Sequence, residues 1–298
     1  MSKPFVFVVV LVAFVLSFNL YNFYYNNYYD SSIDGSEIAE IQNNTIPDDV
    51  KKSLEQNQKL FPRVLSATTY RIPILMYHYV EYVEDKGDKT RMSLNTPPFI
   101  LEEEIKTLAQ AGYTFITNKE LVDILDGKSK PPQKPIVLTF DDGYRDFYTD
   151  VFPILKKYNV KATAYLISGF LNWQNHLTDT QTQEIAQSNL VEIGAHTVHH
   201  SWLKGRSLKD ITSEVTQSKT MLEEQFKISV VSFAYPFGAF DQPTIDAVKK
   251  AGFRSATSTI PGIEQNQQNK YFLYRLRPGG RTGDVLLKWL DQKTFTAF

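Results

Sequence analysis

From Tyr70 onward, short apolar runs alternate with longer amphipathic stretches, and that alternation constrains the fold more than any other feature. Ile72 to Val80 (IPILMYHYV) and Pro135 to Phe140 (PIVLTF) are nearly unbroken apolar segments, as strands covered on both faces must be. Further strands are expected at Tyr113 to Ile116, Ala162 to Ile167, Leu190 to Ile193, Val230 to Tyr235 and Phe253 to Thr257. Helices are expected at Pro97 to Ala111, closed by Gly112, and at Asn118 to Leu125 and Asp146 to Tyr158. Two more are expected, at Ser207 to Phe226, with Ser207 as N-cap, and near Gln242 to Ala251. Repeated strand–helix units imply a parallel sheet, open or closed into a barrel. In either form, functional residues collect where strands end at their C-terminal edge.

Composition removes several function classes. The 298 residues are 42% hydrophobic, enough for a sizeable core and too many for a mostly disordered chain. With 32 basic and 33 acidic residues, no global field draws in nucleic acid or an anionic membrane surface. Cysteine is absent, which excludes disulfides, thiolate metal sites, a Cys nucleophile and a cysteine-linked lipid anchor. Lys3 precedes an uncharged run whose apolar core is Phe5 to Leu20. Continued through Tyr25, it approaches the ~20 residues needed to cross a bilayer. The following YNFYYNNYYD offers no small-residue cleavage site, which favours an uncleaved signal anchor over a cleaved signal peptide. The expected organisation is an anchor over residues 1–25, a polar extracellular linker over 26–69 and one α/β domain over 70–298.

Three expected strand ends carry chemistry. Asp141-Asp142-Gly143 follows PIVLTF directly. Asp-Gly alone is ordinary turn chemistry, but two carboxylates leaving a buried strand are costly unless something pairs with them. Along an extended chain neighbours point opposite ways, which suits one metal ligand and one base. His196-Thr197-Val198-His199-His200 places three of the five histidines within five residues. As an isolated cluster it could be an exposed polar loop; with a carboxylate from another strand it becomes an open three-ligand site for Zn²⁺ or a similar ion. Tyr235-Pro236-Phe237-Gly238 fixes a tight loop able to aim a backbone N–H at a substrate oxygen.

TFDDG, then H-T-x-x-H, then the Tyr235-Pro236-Phe237 loop, in that order, resembles the NodB-type polysaccharide deacetylases (carbohydrate esterase family 4) over roughly Tyr70 to Arg277. The opening PILMYHYV is similar to the branch that de-N-acetylates poly-N-acetylglucosamine exopolysaccharide. The resemblance implies a distorted (β/α) barrel with its site at the C-terminal strand ends. Carried over residue by residue, it implies Asp141 as catalytic base and Asp142, His196 and His200 as ligands of a divalent ion. Zinc is expected there, with Co, Ni or Fe as alternatives, and Phe237 would contribute an oxyanion-hole N–H. The implied substrate is a polysaccharide containing N-acetylglucosamine, poly-β-1,6-N-acetylglucosamine first, which loses acetate. Peptidoglycan or chitin fragments are the rival substrates, and a silent carbohydrate-binding or structural cell-surface protein is the non-enzymatic alternative.

The sequence departs from the family pattern in three places. The usual Arg opening the third motif is Ala234, the Asp-Trp motif has no match, and Leu276-Arg277-Pro278 lacks the late histidine. An acid and an orienting Arg must come from elsewhere. His78 ends a buried strand and is the better acid candidate; His176 lies in a polar loop (NWQNHLT) and is set aside. Arg275 or Arg277 is left to supply the guanidinium.

Overall fold

The computed structural model describes residues 68–85 and 87–295. The expected anchor, and all but the last two residues of the expected linker, lie outside them. Among the described residues no helix is long and apolar enough to cross a membrane.

Strands β1 (Tyr70–Arg71), β2 (Ile74–Tyr77), β3 (Thr114–Phe115), β4 (Pro135–Phe140) and β5 (Ala162–Leu166) form the first half of the strand series. Strands β6 (Val191–Ala195), β7 (Ser232–Ala234), β8 (Ser255–Pro261), β9 (Glu264–Gln265) and β10 (Leu273–Arg275) form the second. Around them run helices α1 (Lys89–Leu94), α2 (Pro98–Gln110), α3 (Asn118–Leu125) and α4 (Phe152–Tyr158). They are followed by α5 (Asp179–Gln187), α6 (Leu208–Phe226), α7 (Gln242–Lys250) and α8 (Gly283–Leu290). The main sheet runs β10-β8-β7-β6-β5-β4-β2, every pair parallel. Its two edges meet through a parallel bridge between Leu75 and Leu276, with Met76 N donating to Leu276 O and Leu276 N to Ile74 O, both at 2.8 Å. The result is a near-closed barrel. The short β3 pairs with β4 beside this ring, and β1 pairs antiparallel with β9.

Side-chain alternation sorts two cores. Ile74 and Val137, paired in register, join Ile116, Leu121, Leu125 and Leu273 in an apolar plug inside the barrel's N-terminal end. The larger core lies between strands and helices, through residues such as Leu75, Leu138, Leu155 and Phe233. Full burial of side chains of this kind contributes roughly 1.5–3 kcal/mol each. Two positions beyond Ile74 and Val137 come Met76 and Thr139, and two beyond those come His78 and Asp141. The interior therefore changes from apolar to ionisable toward its C-terminal mouth.

Helix starts follow local chemistry. Thr117 and Thr178 form capping boxes with Glu120 and Gln181, and Ser207 caps α6 by accepting from Asp210 N. The segment expected as one helix from Asp146 to Tyr158 divides into a π-turn, Phe147–Val151, followed by α4. Pro153 has no N–H to continue a regular ladder, and the wider turn keeps Phe147, Val151 and Phe152 all buried.

Candidate active site

Strand β4 ends in a turn whose residues Asp142 (φ 73°) and Gly143 (φ 74°) are both left-handed. Aspartate tolerates that region better than most residues. Glycine suits 143 because its positive φ strains any residue with a Cβ, which would also press within 2.9 Å of Leu166 Cδ2. The turn sends the two carboxylates to different partners, and both are buried, at 3% and 4% exposure.

Asp141 is gripped by Arg275 of β10, with Nη1 donating to Oδ1 at 2.7 Å and Nη2 to Oδ2 at 2.8 Å. The same guanidinium donates to Ser258 O and Thr139 Oγ1, which fixes its plane. Burial pushes the Asp141 carboxyl up, but Arg275 outweighs it and holds the group below its ordinary range. Of the two arginines singled out, Arg275 is the one that reaches Asp141. Arg277 donates no hydrogen bond to any described residue, and burial lowers its pKa to about 10.

Asp142 faces the loop after β6. Its Oδ1 lies 3.3 Å from His196 Nε2 and 3.2 Å from His200 Nε2, yet this buried oxygen accepts no hydrogen bond. His196 Nδ1 lies 2.8 Å from the Ala234 carbonyl, which can only accept. Nδ1 of the neutral ring therefore carries the proton, and Nε2 turns its lone pair toward Asp142. Two acceptors facing each other at this distance repel unless a cation lies between them. A carboxylate oxygen and two imidazole nitrogens, all within 4.8 Å of one another, form a donor set that fits a first-row divalent ion. Among the described residues this is the one such cluster.

Local structure decides which histidine joins it. Thr197 and His200 are left-handed (φ 66° and 54°). The Glu214 carboxylate of α6 accepts from Val198 N, His199 N and His199 Nδ1, at 2.9, 3.0 and 2.8 Å. His199 is thereby held outward while His200 turns in. Glu214 carries no spacing signal that the sequence could have revealed.

His78 Nε2 sits 4.0 Å from Asp141 Oδ2. Burial, reinforced by the nearby Arg277 charge, lowers its pKa to about 4 against the pull of Asp142 and Asp141. The imidazole is neutral at rest, and a resting imidazolium is not what this environment supports. Phe237 (φ 59°) donates its N–H to no described residue, and its ring, 41% exposed, lies 4.4 Å from the His200 ring. Its neighbour Gly238 has no room for a side chain, because a Cβ would fall 1.9 Å from Thr259 Oγ1. His176, set aside on sequence, comes to the mouth after all: it bridges Tyr144, and their rings are 5.1 Å apart. Only the fold brings its loop back against the DDG turn.

Comparison with known proteins agrees with this geometry. The sequence profile described as polysaccharide deacetylase matches residues 128–256. YxkH of Bacillus subtilis (strain 168), which carries a polysaccharide deacetylase name, is 35% identical over 222 residues, covering 74% of this chain and 76% of that protein. A poly-beta-1,6-N-acetyl-D-glucosamine N-deacetylase of Staphylococcus aureus (strain N315) is 25% identical over 275 residues, covering 87% and 91%. Among solved structures, the Streptococcus pyogenes deacetylase PplD in complex with acetate superposes with a TM-score of 0.70 at 29% identity, over 76% of this chain and all of that one. A strand-end Asp pair and a histidine turn on a near-closed parallel barrel, matched to relatives along most of their length, make this chain a member of the polysaccharide deacetylase family, hydrolases that act on amide bonds.

Proposed function

We propose that the protein removes acetyl groups from N-acetylglucosamine units of an extracellular polysaccharide, poly-β-1,6-N-acetylglucosamine first among candidates, with a divalent ion as cofactor. The observation that carries the reading is the buried, hydrogen-bond-free Asp142 Oδ1 facing two imidazole nitrogens, one residue from an Arg-clamped carboxylate. The substrate choice is supported by the S. aureus relative, whose named activity is on that polymer. Peptidoglycan and chitin fragments remain the rival polymers.

In this reading Asp142, His196 and His200 hold the ion, zinc by donor preference. Such an ion supplies Lewis acidity toward the amide oxygen and eases deprotonation of water. Asp141, kept ionised and oriented by Arg275, takes the proton of the attacking water. The unused Phe237 N–H donates to the oxygen that gains charge. His78 is neutral at rest and 4.0 Å from Asp141, so it receives that proton and passes it to the departing amine. Acetate leaves, and the polymer keeps a glucosamine unit.

The apolar stretch Phe5 to Leu20 supports a membrane anchor with the domain outside. Cell fractionation with external protease tests it; a mature chain in the medium that begins near residue 30 would replace the anchor with a cleaved signal. The deciding experiment for function is acetate release from purified polymers, with metal-stripped protein as control. No release from any N-acetylglucosamine polymer by metal-loaded protein would defeat the proposal.

A further inference from the structure

Trp173 is 57% exposed beside a site that handles a sugar polymer. One face of its indole stacks on Phe170, with centroids 4.3 Å apart and planes 16° from parallel, and the His176 ring meets it edge-on at 6.4 Å. His176 in turn contacts Tyr144, two residues beyond Asp142. A chain of ring contacts thus leads from the mouth of the barrel to the indole.

The loop carrying Trp173 is tied to the catalytic turn itself. Arg145 donates through Nε to His176 O at 3.2 Å, through Nη2 to Trp173 O at 3.1 Å, and through its backbone N–H to Asn175 O at 2.9 Å. Leu177 N donates to Gly143 O at 3.0 Å. Platform and carboxylates therefore form one piece, and the indole is positioned before any ligand arrives. Preorganised aromatic surface loses little entropy on binding.

The neighbours of Trp173 decide what it suits. Gln174 and Asn175 are exposed, and their side-chain amides make no hydrogen bond with any described residue. A pyranose ring offers a face of C–H groups bordered by hydroxyls. The C–H face matches the indole's free π-surface, and the hydroxyl border matches the two amides. An acyl-chain surface would leave both amides without partners. We propose that Trp173, with Gln174 and Asn175, forms a saccharide subsite that holds the ring of a polymer unit adjacent to the one being deacetylated. This deepens the functional reading above and rests on it for the identity of the polymer.

The test is length dependence. Full-length, metal-loaded protein is assayed for acetate release on β-linked N-acetylglucosamine oligomers of one to six units. In the wild type, kcat/KM should rise with length. Trp173→Ala should flatten that rise, lowering the hexamer-to-monomer ratio about tenfold through KM, and Trp173→Phe should restore most of it. An unaltered ratio in Trp173→Ala overturns the subsite. Tryptophan emission is then titrated with hexamer in an Asp141→Asn background, so that ligand is not consumed. With Trp202→Phe added to silence the indole beside Phe237, a change that disappears with Trp173→Ala supports the subsite, whereas a change that survives, or none at all, overturns it. If wild type releases no acetate from any oligomer, the functional reading fails by itself, and the emission titration still decides the subsite.

Discussion

Asp141 and Asp142 are neighbours in sequence and strangers in the fold. Asp142 is itself left-handed, between the end of β4 and a glycine, so that Asp141 meets Arg275 and Asp142 meets two imidazoles. A left-handed residue costs about 1–2 kcal/mol, and here such residues recur at Asp142, Thr197, His200 and Phe237, all around the mouth. If the donor set holds an ion, purified protein should contain about one divalent ion per chain. His200→Ala should lose it, while His199→Ala, whose ring is committed to Glu214, should keep it; elemental analysis with equal metal in both variants would remove His200 from the set. Arg275→Met strands a buried carboxylate and should destabilise the domain by about 3–5 kcal/mol in chemical denaturation. His78→Gln should lower kcat on the amide by at least ~10²-fold but slow an activated aryl acetate ester much less; equal losses would take the proton transfer away from His78. The four residues Asp141, Asp142, His196 and His200 were legible because each motif is short and local. Arg275 was legible only as one of two candidates, since its partner lies 134 positions away. His176 was missed because its loop approaches the site through backbone bonds to Gly143 and Arg145, which no side-chain pattern announces.

Among the elements, helix α2 carries a group that makes stability depend on pH. Glu104 is fully buried and accepts from the Tyr77 hydroxyl at 2.8 Å. Burial raises its pKa from 4.5 to about 8, against the smaller pull of Tyr77 and the Arg281 charge. The folded form thus binds this proton more tightly than the unfolded chain does. Its stabilising contribution is complete below pH 4.5, shrinks as pH rises and is gone above about 8. Asp146, raised to about 7 mainly by burial while it accepts from Val80 N, acts in the same direction. Above pH 6.5, where the opposing gain from His78 with its lowered pKa is complete, thermal melts of the wild type should therefore fall toward pH 8, and Glu104→Gln should reduce that slope; identical slopes would show that Glu104 does not titrate in this range. Strands and long helices were legible from apolar runs and caps, with Asn118–Leu125 and Pro135–Phe140 ending where expected. Strand β10 was not, because three residues that include a buried arginine have no strand signature. Helix α5 was overlooked for the opposite reason: Asp179 to Gln187 is mostly polar, and only Thr182 and Ile185 reach the core.

For the whole molecule, the strand–helix alternation pointed to a parallel barrel, and a near-closed one forms. Its closure rests on the single bridge between Leu75 and Leu276, too brief to leave a periodic trace in the sequence. Because the proposed ligands come from the turn after β4 and from the loop after β6, an ion there would tie separate parts of the barrel together. Free ion at a thousand times its Kd adds about 4 kcal/mol, and a domain this size gains roughly 2–4 °C per kcal/mol, so chelation should lower Tm by roughly 8–16 °C. A Tm indifferent to chelation would argue against a tightly held ion. The position of the clamp also has a consequence for how the protein comes into being. A chain emerging from the ribosome presents Asp142, His196 and His200 well before Arg275, whose strand is the last to enter the barrel. The half of the site proposed to hold an ion is thus synthesised early and the guanidinium that locks Asp141 late. On the proposed roles, hydrolytic competence is tied to completion of the barrel, and a product that stops short of β10 carries the donor set without the Arg275 clamp.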